Sequence, residues 1–324
     1  MFSLHRRLTL AAIAVCLCGL AGPAAADRPP LRVLLPVSAG SGVDTIVRAA
    51  APALAKALGD QSVVIENLPG AGGITGTAAL VKAAPDGNTI AFVSNNHAVN
   101  PSVYQKMPYD SLADITPISV IGATPFVLVV NPAKLPAKNV QELIALLKAR
   151  PGGYNFASSG NGTIIHLADE MFVDAAGVDA RHIPYKGVGP MLADLIGGQV
   201  DFGVAALPAV QGHLKNGSLR AIGIMGKARA PSLPDVPTIA EQGLPEVDVA
   251  GWFAVIGPAK LPPVEVTRLH DAVVTAFASP EVRRAMDRQD NIINPTTPEV
   301  AAQYFRTEQQ RYARLAKKAN ISLD

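Results

Sequence analysis

Four times in this chain a short β-like run is followed by a loop of small residues and then by helically spaced apolar positions. Leu31–Leu35 precedes Ser38–Gly42, Ser62–Ile65 precedes Pro69–Gly73, Tyr154–Ala157 precedes Ser158–Thr163, and Arg181–Tyr185 precedes Lys186–Pro190. Strand, glycine loop and helix in that order predict parallel sheets built from βαβ units. The helix after the first loop repeats apolar residues at Val43, Ile46, Val47, Ala50, Leu54, Ala57 and Leu58, a 3.6-residue spacing.

The same grammar continues. Thr89–Val93, Phe126–Val130, Val200–Val204, Leu219–Met225 and Trp252–Ile256 read as strands. Val140–Ala149 is an amphipathic helix stopped by Pro151-Gly152-Gly153, and the tail is helical over Pro263–Ala278, Pro280–Arg288 and Pro298–Ala319. Thr297-Pro298-Glu299 supplies an N-cap, a proline at N1 and an early acid, and Thr238 with Glu241 forms a capping-box pattern. A length of 324 residues suits about two domains. With 28 Lys and Arg against 26 Asp and Glu, no basic excess exists to hold nucleic acid or an anionic membrane.

Residues 1–26 read as an address. Arg6 and Arg7 precede the apolar run Leu8–Ala21, and Ala24-Ala25-Ala26 suits cleavage before Asp27. That run is about 14 residues, short of the ~20 that span a bilayer. The expected product is an exported, periplasmic chain starting near Asp27, with no membrane anchor. Cys16 and Cys18 both fall inside the leader, so the mature chain is expected to have no disulfide, thiolate metal site or cysteine nucleophile. Removing Arg6 and Arg7 leaves 26 cations against 26 acids.

In open α/β sheets ligands bind beyond the carboxyl ends of strands, where helix N-termini present unpaired N–H groups and partial positive charge. Each small-residue loop is therefore either a tight turn or part of an anion site, and the residues alone leave both open. The loops lack the spacing of nucleotide-phosphate motifs. Enzyme signatures are weak as well. Ser158-Ser159-Gly160-Asn161-Gly162 is not a nucleophile elbow, and the histidines form no zinc motif. His166 on a first helical turn reads as a packing or capping residue more readily than as a catalyst. Asp44 and Arg48 are spaced for a local ion pair. Asp201, after Gly197-Gly198, either faces a cleft or starts a strand. No cofactor, metal or catalytic residue is expected.

Several short motifs, in order and at characteristic spacing, resemble one family. They are Gly40-Ser41-Gly42-Val43-Asp44 with Arg48, Glu66-Asn67-Leu68-Pro69-Gly70-Ala71-Gly72-Gly73, Pro85-Asp86-Gly87 and Pro108-Tyr109-Asp110. Gly160, Gly162-Thr163 and His166 follow, then Pro184-Tyr185-Lys186-Gly187, Gly197-Gly198-Gln199-Val200-Asp201 and Leu233-Pro234-Asp235-Val236-Pro237-Thr238. Across nearly all of 27–324 the chain resembles the periplasmic solute-binding proteins of tripartite tricarboxylate transporters, the Bug family. The resemblance implies a type II periplasmic-binding-protein fold: two α/β domains, 27–124 plus 251–324 and 125–250, with a ligand cleft between them.

It further implies a non-enzymatic, monomeric binder of a small organic carboxylate. Such a protein delivers its solute to the permease subunits of a tripartite tricarboxylate transporter or presents it to a sensor kinase. The expected ligand-binding residues are Ser38, Ala39, Gly40, Ser41, Gly42, Gly70, Ala71, Gly72, Gly73, Asn95, Ser158, Gly160, Gly162, Thr163, Tyr185, Lys186, Gly187 and Asp201. Two departures from the family pattern bear on the ligand. Ser41 interrupts a glycine pair and adds a hydroxyl, and Asn95-Asn96 suggest a polar distal end. The competing reading is an exported α/β hydrolase or isomerase using Ser158 or His166.

Overall fold

The computed structural model describes residues 28–318 and 321–323. The expected leader and its cleavage point lie outside these residues. The chain begins with β1 (Leu31–Leu35), α1 (Gly42–Ala57), β2 (Val63–Asn67), a 3₁₀ turn (Ala71–Gly73) running into α2 (Ile74–Val81), β3 (Thr89–Ser94), α3 (Asn96–Val103) and β4 (Ile115–Thr124). Next come β5 (Phe126–Val130), α4 (Val140–Ala149), β6 (Asn155–Ser158), α5 (Ile164–Ala176), β7 (Arg181–Pro184), α6 (Val188–Ile196), β8 (Phe202–Ala206), α7 (Leu207–Lys215) and β9 (Arg220–Met225). The chain closes with β10 (Gly251–Pro258), α8 (Pro263–Ala278), α9 (Pro280–Asp287), β11 (Ile292–Ile293) and α10 (Pro298–Lys318).

These strands form two sheets, one of order β11-β4-β10-β3-β1-β2 and one of order β7-β6-β8-β5-β9. The chain leaves the first sheet at Thr124, enters the second at Phe126 and returns at Gly251. Both sheets are mixed, which corrects the expectation of parallel sheets. β10 runs antiparallel to β3 and β4, and β5 runs antiparallel to β8 and β9. β5 and β10 are buried along their whole length, as suits strands covered on both faces.

The parallel parts set the site. β1 pairs with β2 and β3, and β6 pairs with β7 and β8, all parallel. Crossovers between parallel strands are right-handed as a rule, and successive crossovers here reverse direction across the central strand. Reversal places successive helices on opposite faces. α1 therefore packs with α8 and α9 through Ile46, Val47, Leu269 and Met286, whereas α2 and α3 share a core with α10 through Leu80, Val99 and Phe305. α1, α2 and α3 follow the carboxyl ends of the parallel strands β1, β2 and β3 and so start at the same end of the first sheet.

The caps agree with the sequence. Ser41 accepts the Asp44 N–H, Thr163 accepts the His166 N–H, and Thr297 accepts the Val300 N–H at 3.4 Å. Thr238 and Glu241 form the reciprocal bonds of a capping box, at 2.7 and 3.0 Å. No helix follows them: residues 239–243 are turns. Gly243 at φ +98° and Pro245 break the chain before a second turn can propagate.

Candidate functional site

A cavity of about 540 Å³ lies between the two sheets, within the range of small-molecule sites. Residues at the N-termini of six helices contribute to its wall: Gly42 of α1, Gly73 before α2, Asn96 of α3, Ile164 of α5, Val188 of α6 and Ala206 before α7. The first four N–H groups of any helix lack intrahelical acceptors. The amides of Gly42, Val43 and Val188 find none elsewhere among the described residues. Among the described residues no Asp or Glu lines the cavity, and the one cation that does is Lys186. The wall is thus an electropositive surface built from backbone dipoles rather than from arginines.

Each loop has a distinct local construction. In the first, Asp44 accepts from Arg48 Nε at 2.8 Å, Asn67 Nδ2 at 3.0 Å and the Gly40 N–H at 2.9 Å, which locks the loop onto the end of β2. Ser38, Ser41 and Gly42 line the cavity. Ala39 and Gly40 do not; both are exposed on the outer side of the turn, and the Gly40 amide is committed to Asp44. In the second loop Gly70, Ala71, Gly72 and Gly73 all line the cavity and all have positive φ, with Ala71 at +46°. A non-glycine residue there is strained. The turn is forced by close packing, since a Cβ on Gly73 would sit 2.9 Å from the Pro36 carbonyl.

In the second sheet the loop after β6 presents Ser159, Gly160, Asn161 and Thr163. Ser158 is fully buried behind it. Its hydroxyl contacts His182 Nε2 at 2.6 Å and the Gly160 carbonyl at 3.1 Å, so it is not available to a ligand. Gly162 also faces away: its N–H donates to His166 Nδ1, and a Cβ there would strike Leu323 and Val103. Tyr185 and Lys186 line the cavity, with the Tyr185 hydroxyl donating to Asp194 at 2.8 Å. Burial and the Asp194 carboxylate push that phenol up to about 12. Lys186 is exposed and makes no hydrogen bond or ion pair among the described residues. Gly187 lines the cavity and abuts Ser38, whose Oγ would lie 2.7 Å from an added Cβ.

The Ser158–His182 contact has the distance of a nucleophile–base pair but not its surroundings. Against His182 stands the ring of His166 rather than a carboxylate, and the serine has no exposed surface. Burial, and then His166, push His182 down to about 4, so it is neutral near pH 7.

The polar groups of Asp201 and Asn95 are likewise engaged elsewhere. Asp201 stands at the start of β8, the end opposite the cavity-lining Ala206. It accepts the Asn155 N–H at 2.7 Å and is a strand-start residue. Asn95 touches the cavity wall, but its amide is consumed. Nδ2 donates to the Ala250 carbonyl at 3.0 Å and to Tyr312 Oη at 2.6 Å, while Oδ1 accepts the Trp252 N–H at 2.8 Å. It makes no polar distal end. Residues outside the expected set also line the cavity, including Ser94, Tyr104, Thr124, Phe126, Ile165 and Trp252. Apart from Ile165 in the first turn of α5, they come from strand ends and from the end of α3, where no glycine loop flags them. Among the described residues no group of three His, Cys, Asp or Glu is placed to hold a metal, and no helix is long and apolar enough to cross a membrane.

A two-sheet architecture whose strand ends and helix N-termini enclose a cavity between the sheets is the architecture of a ligand-capturing receptor. The profile of the family described as "Tripartite tricarboxylate transporter family receptor" matches residues 46–321. BugT of Bordetella pertussis is 36% identical over 326 residues, covering 99% of each chain. A solved periplasmic transporter is 36% identical with a TM-score of 0.88, over 93% of this chain and 100% of that one. R. palustris Rpa4515, solved with adipate, is 32% identical with a TM-score of 0.87, over 91% and 98%. MatC from Rhodopseudomonas palustris, solved with malate, is 28% identical with a TM-score of 0.83, over 89% and 98%. The chain belongs to the tripartite tricarboxylate transporter receptor family, the Bug proteins, which are periplasmic solute-binding proteins and not enzymes. Its fold is that of the periplasmic binding proteins.

Proposed function

We propose that this protein captures a small organic carboxylate in the cleft and delivers it to the membrane permease of a tripartite tricarboxylate transporter. The two lobes are 27–124 with 251–324, and 125–250, and one copy of the chain suffices to form the site. The observation that carries this reading is the wall itself: among the described residues it holds six helix N-termini from both lobes, one lysine and no acid. The carboxylates held by Rpa4515 and MatC support it.

A ligand that touches both lobes favours the closed arrangement and stabilises the native chain. At a hundredfold excess over Kd the gain is about 2.7 kcal/mol. The test is a thermal-shift screen of organic acids, followed by small-angle scattering with the best of them. A raised melting temperature with a smaller radius of gyration is expected. No shift with any acid of the panel would overturn the carboxylate reading.

A further inference from the structure

The loop between β6 and α5 is tied to a titratable ring. The Gly162 N–H donates to His166 Nδ1 at 3.1 Å. That nitrogen must be bare to accept, so the neutral ring carries its hydrogen on Nε2, which faces the Glu170 carboxylate at 3.3 Å. Both ring nitrogens are thus engaged, and the ring itself is buried. Gly162 is also packed from outside the loop: at φ +70°, an added Cβ would fall 2.6 Å from Leu323 and 2.9 Å from Val103 at the end of α3. Its neighbours Ser159, Gly160, Asn161 and Thr163 line the cavity.

An imidazolium carries a hydrogen on both nitrogens. On His166 the second one would point at the Gly162 N–H, setting two donors face to face in a buried contact. The surroundings decide how readily that proton arrives. Glu170, one turn further along α5, favours the charged ring. The positive end of α5, where His166 stands in the first turn, opposes it. From β7, His182 stacks on the ring at 3.9 Å and is held neutral near pH 7 by burial. Asp169, next to His166 along α5, is buried against Val204 of β8; burial raises its carboxyl well above the ordinary range and it keeps its proton. Among the described residues Glu170 is therefore the one charged side chain bonded to the ring.

We propose that His166 is a positioning residue for the cavity loop 159–163, and that its protonation breaks the Gly162 bond, loosens the loop and releases the bound acid. This rests on the carboxylate reading above and adds a proton-controlled release to it. Two measurements on the purified chain test it between about pH 8 and about pH 5, the span in which histidines charge. Proton–nitrogen NMR follows the Gly162 amide and the His166 ring, and calorimetry follows affinity for adipate, malate and citrate. The Gly162 amide is expected to lose its hydrogen bond as the His166 ring titrates, and affinity to fall at least about tenfold. His166→Asn keeps an acceptor for the Gly162 N–H and takes up no proton. Whatever its affinity at about pH 8, it should lose no more than the acid's own titration explains. Glu170→Gln removes the carboxylate from Nε2 and should move the ring, the amide and the affinity to lower pH together. This inference is overturned, and the carboxylate reading left standing, by a Gly162 amide that ignores the His166 titration. The same holds for an equal pH-dependent loss in His166→Asn, or for an affinity profile that stays put while the ring moves in Glu170→Gln. Binding of none of the three acids overturns the release step together with the carboxylate reading.

Discussion

The imidazole rings of His166 and His182 lie face to face, with centroids 3.9 Å apart and planes 10° from parallel. Phe156 covers the other face of His182 at 5.0 Å. His166 Nδ1 accepts the Gly162 N–H, which leaves its Nε2 to face Glu170. The stack thus braces the loop that forms one wall of the cavity.

The stacked His182 and the separately buried His97 make stability depend on pH. Burial is the main cause that lowers both His182 and His97 to about 4, from an ordinary 6.5. A histidine held neutral in the fold contributes fully only above 6.5. As pH falls toward 4, the unfolded chain takes up the proton first and the contribution is lost. For His97, which is almost wholly buried, the loss is about 3 kcal/mol. Asp169 acts in the opposite direction, because burial raises its carboxyl well above the ordinary range and folding retains its proton. The melting temperature should therefore fall below pH 6.5, and more steeply in Asp169→Asn. A flat profile in both proteins would contradict these assignments.

Asn95 joins the end of β3 to β10 and α10 through three bonds. Asn95→Leu strands those partners in the core at about 1–3 kcal/mol for each unsatisfied group. A loss of at least about 3 kcal/mol is expected in denaturant unfolding. A loss below about 1 kcal/mol would mean that the clamp is dispensable.

Closure should be sensitive to Gly187. At φ +112°, with Ser38 Oγ 2.7 Å from an added Cβ, Gly187→Ala is expected to hold the lobes apart. Affinity should fall at least tenfold, about 1.4 kcal/mol. Adding Ser38→Gly removes the clash and should restore part of the loss. Equal affinities in the single and double variants would exclude steric closure as the cause.

Lys186 is exposed and unpaired among the described residues, so its field should steer more than it binds. Lys186→Met is expected to slow association and to flatten its dependence on salt, with little change in dissociation. Stopped-flow traces showing mainly faster dissociation would mark Lys186 as a direct contact.

Much of the architecture is written locally. β1, β5, α4 and α8 occupy the residue ranges that their apolar patterns and punctuation predict, because each signal lies within the segment. β4 is not legible in that way. It carries Pro117 and Gly122, and it is a strand only because β10, some 130 residues later, pairs along it. α3 contains Pro101 and is likewise held by its packing on α10. The cavity-facing loops are legible only in company: a tight turn explains any one glycine run between strand and helix equally well, and their number together with the family resemblance points to the cleft. The direction of a side chain is not legible. Ser158, Asp201 and Asn95 all looked like ligand contacts, and each is engaged by a partner distant in sequence: His182, Asn155 and Trp252.

β10 lies between β4 and β3, in the interior of the first sheet rather than at its edge. Until residues 251–258 are available, β3 and β4 have no hydrogen-bonding neighbour between them, and the first sheet cannot close. The second sheet has all its strands by Met225. The half of the protein encoded first is therefore the half completed last. A chain truncated before Gly251 would keep a finished second sheet beside unpaired strands, a species inclined to aggregate.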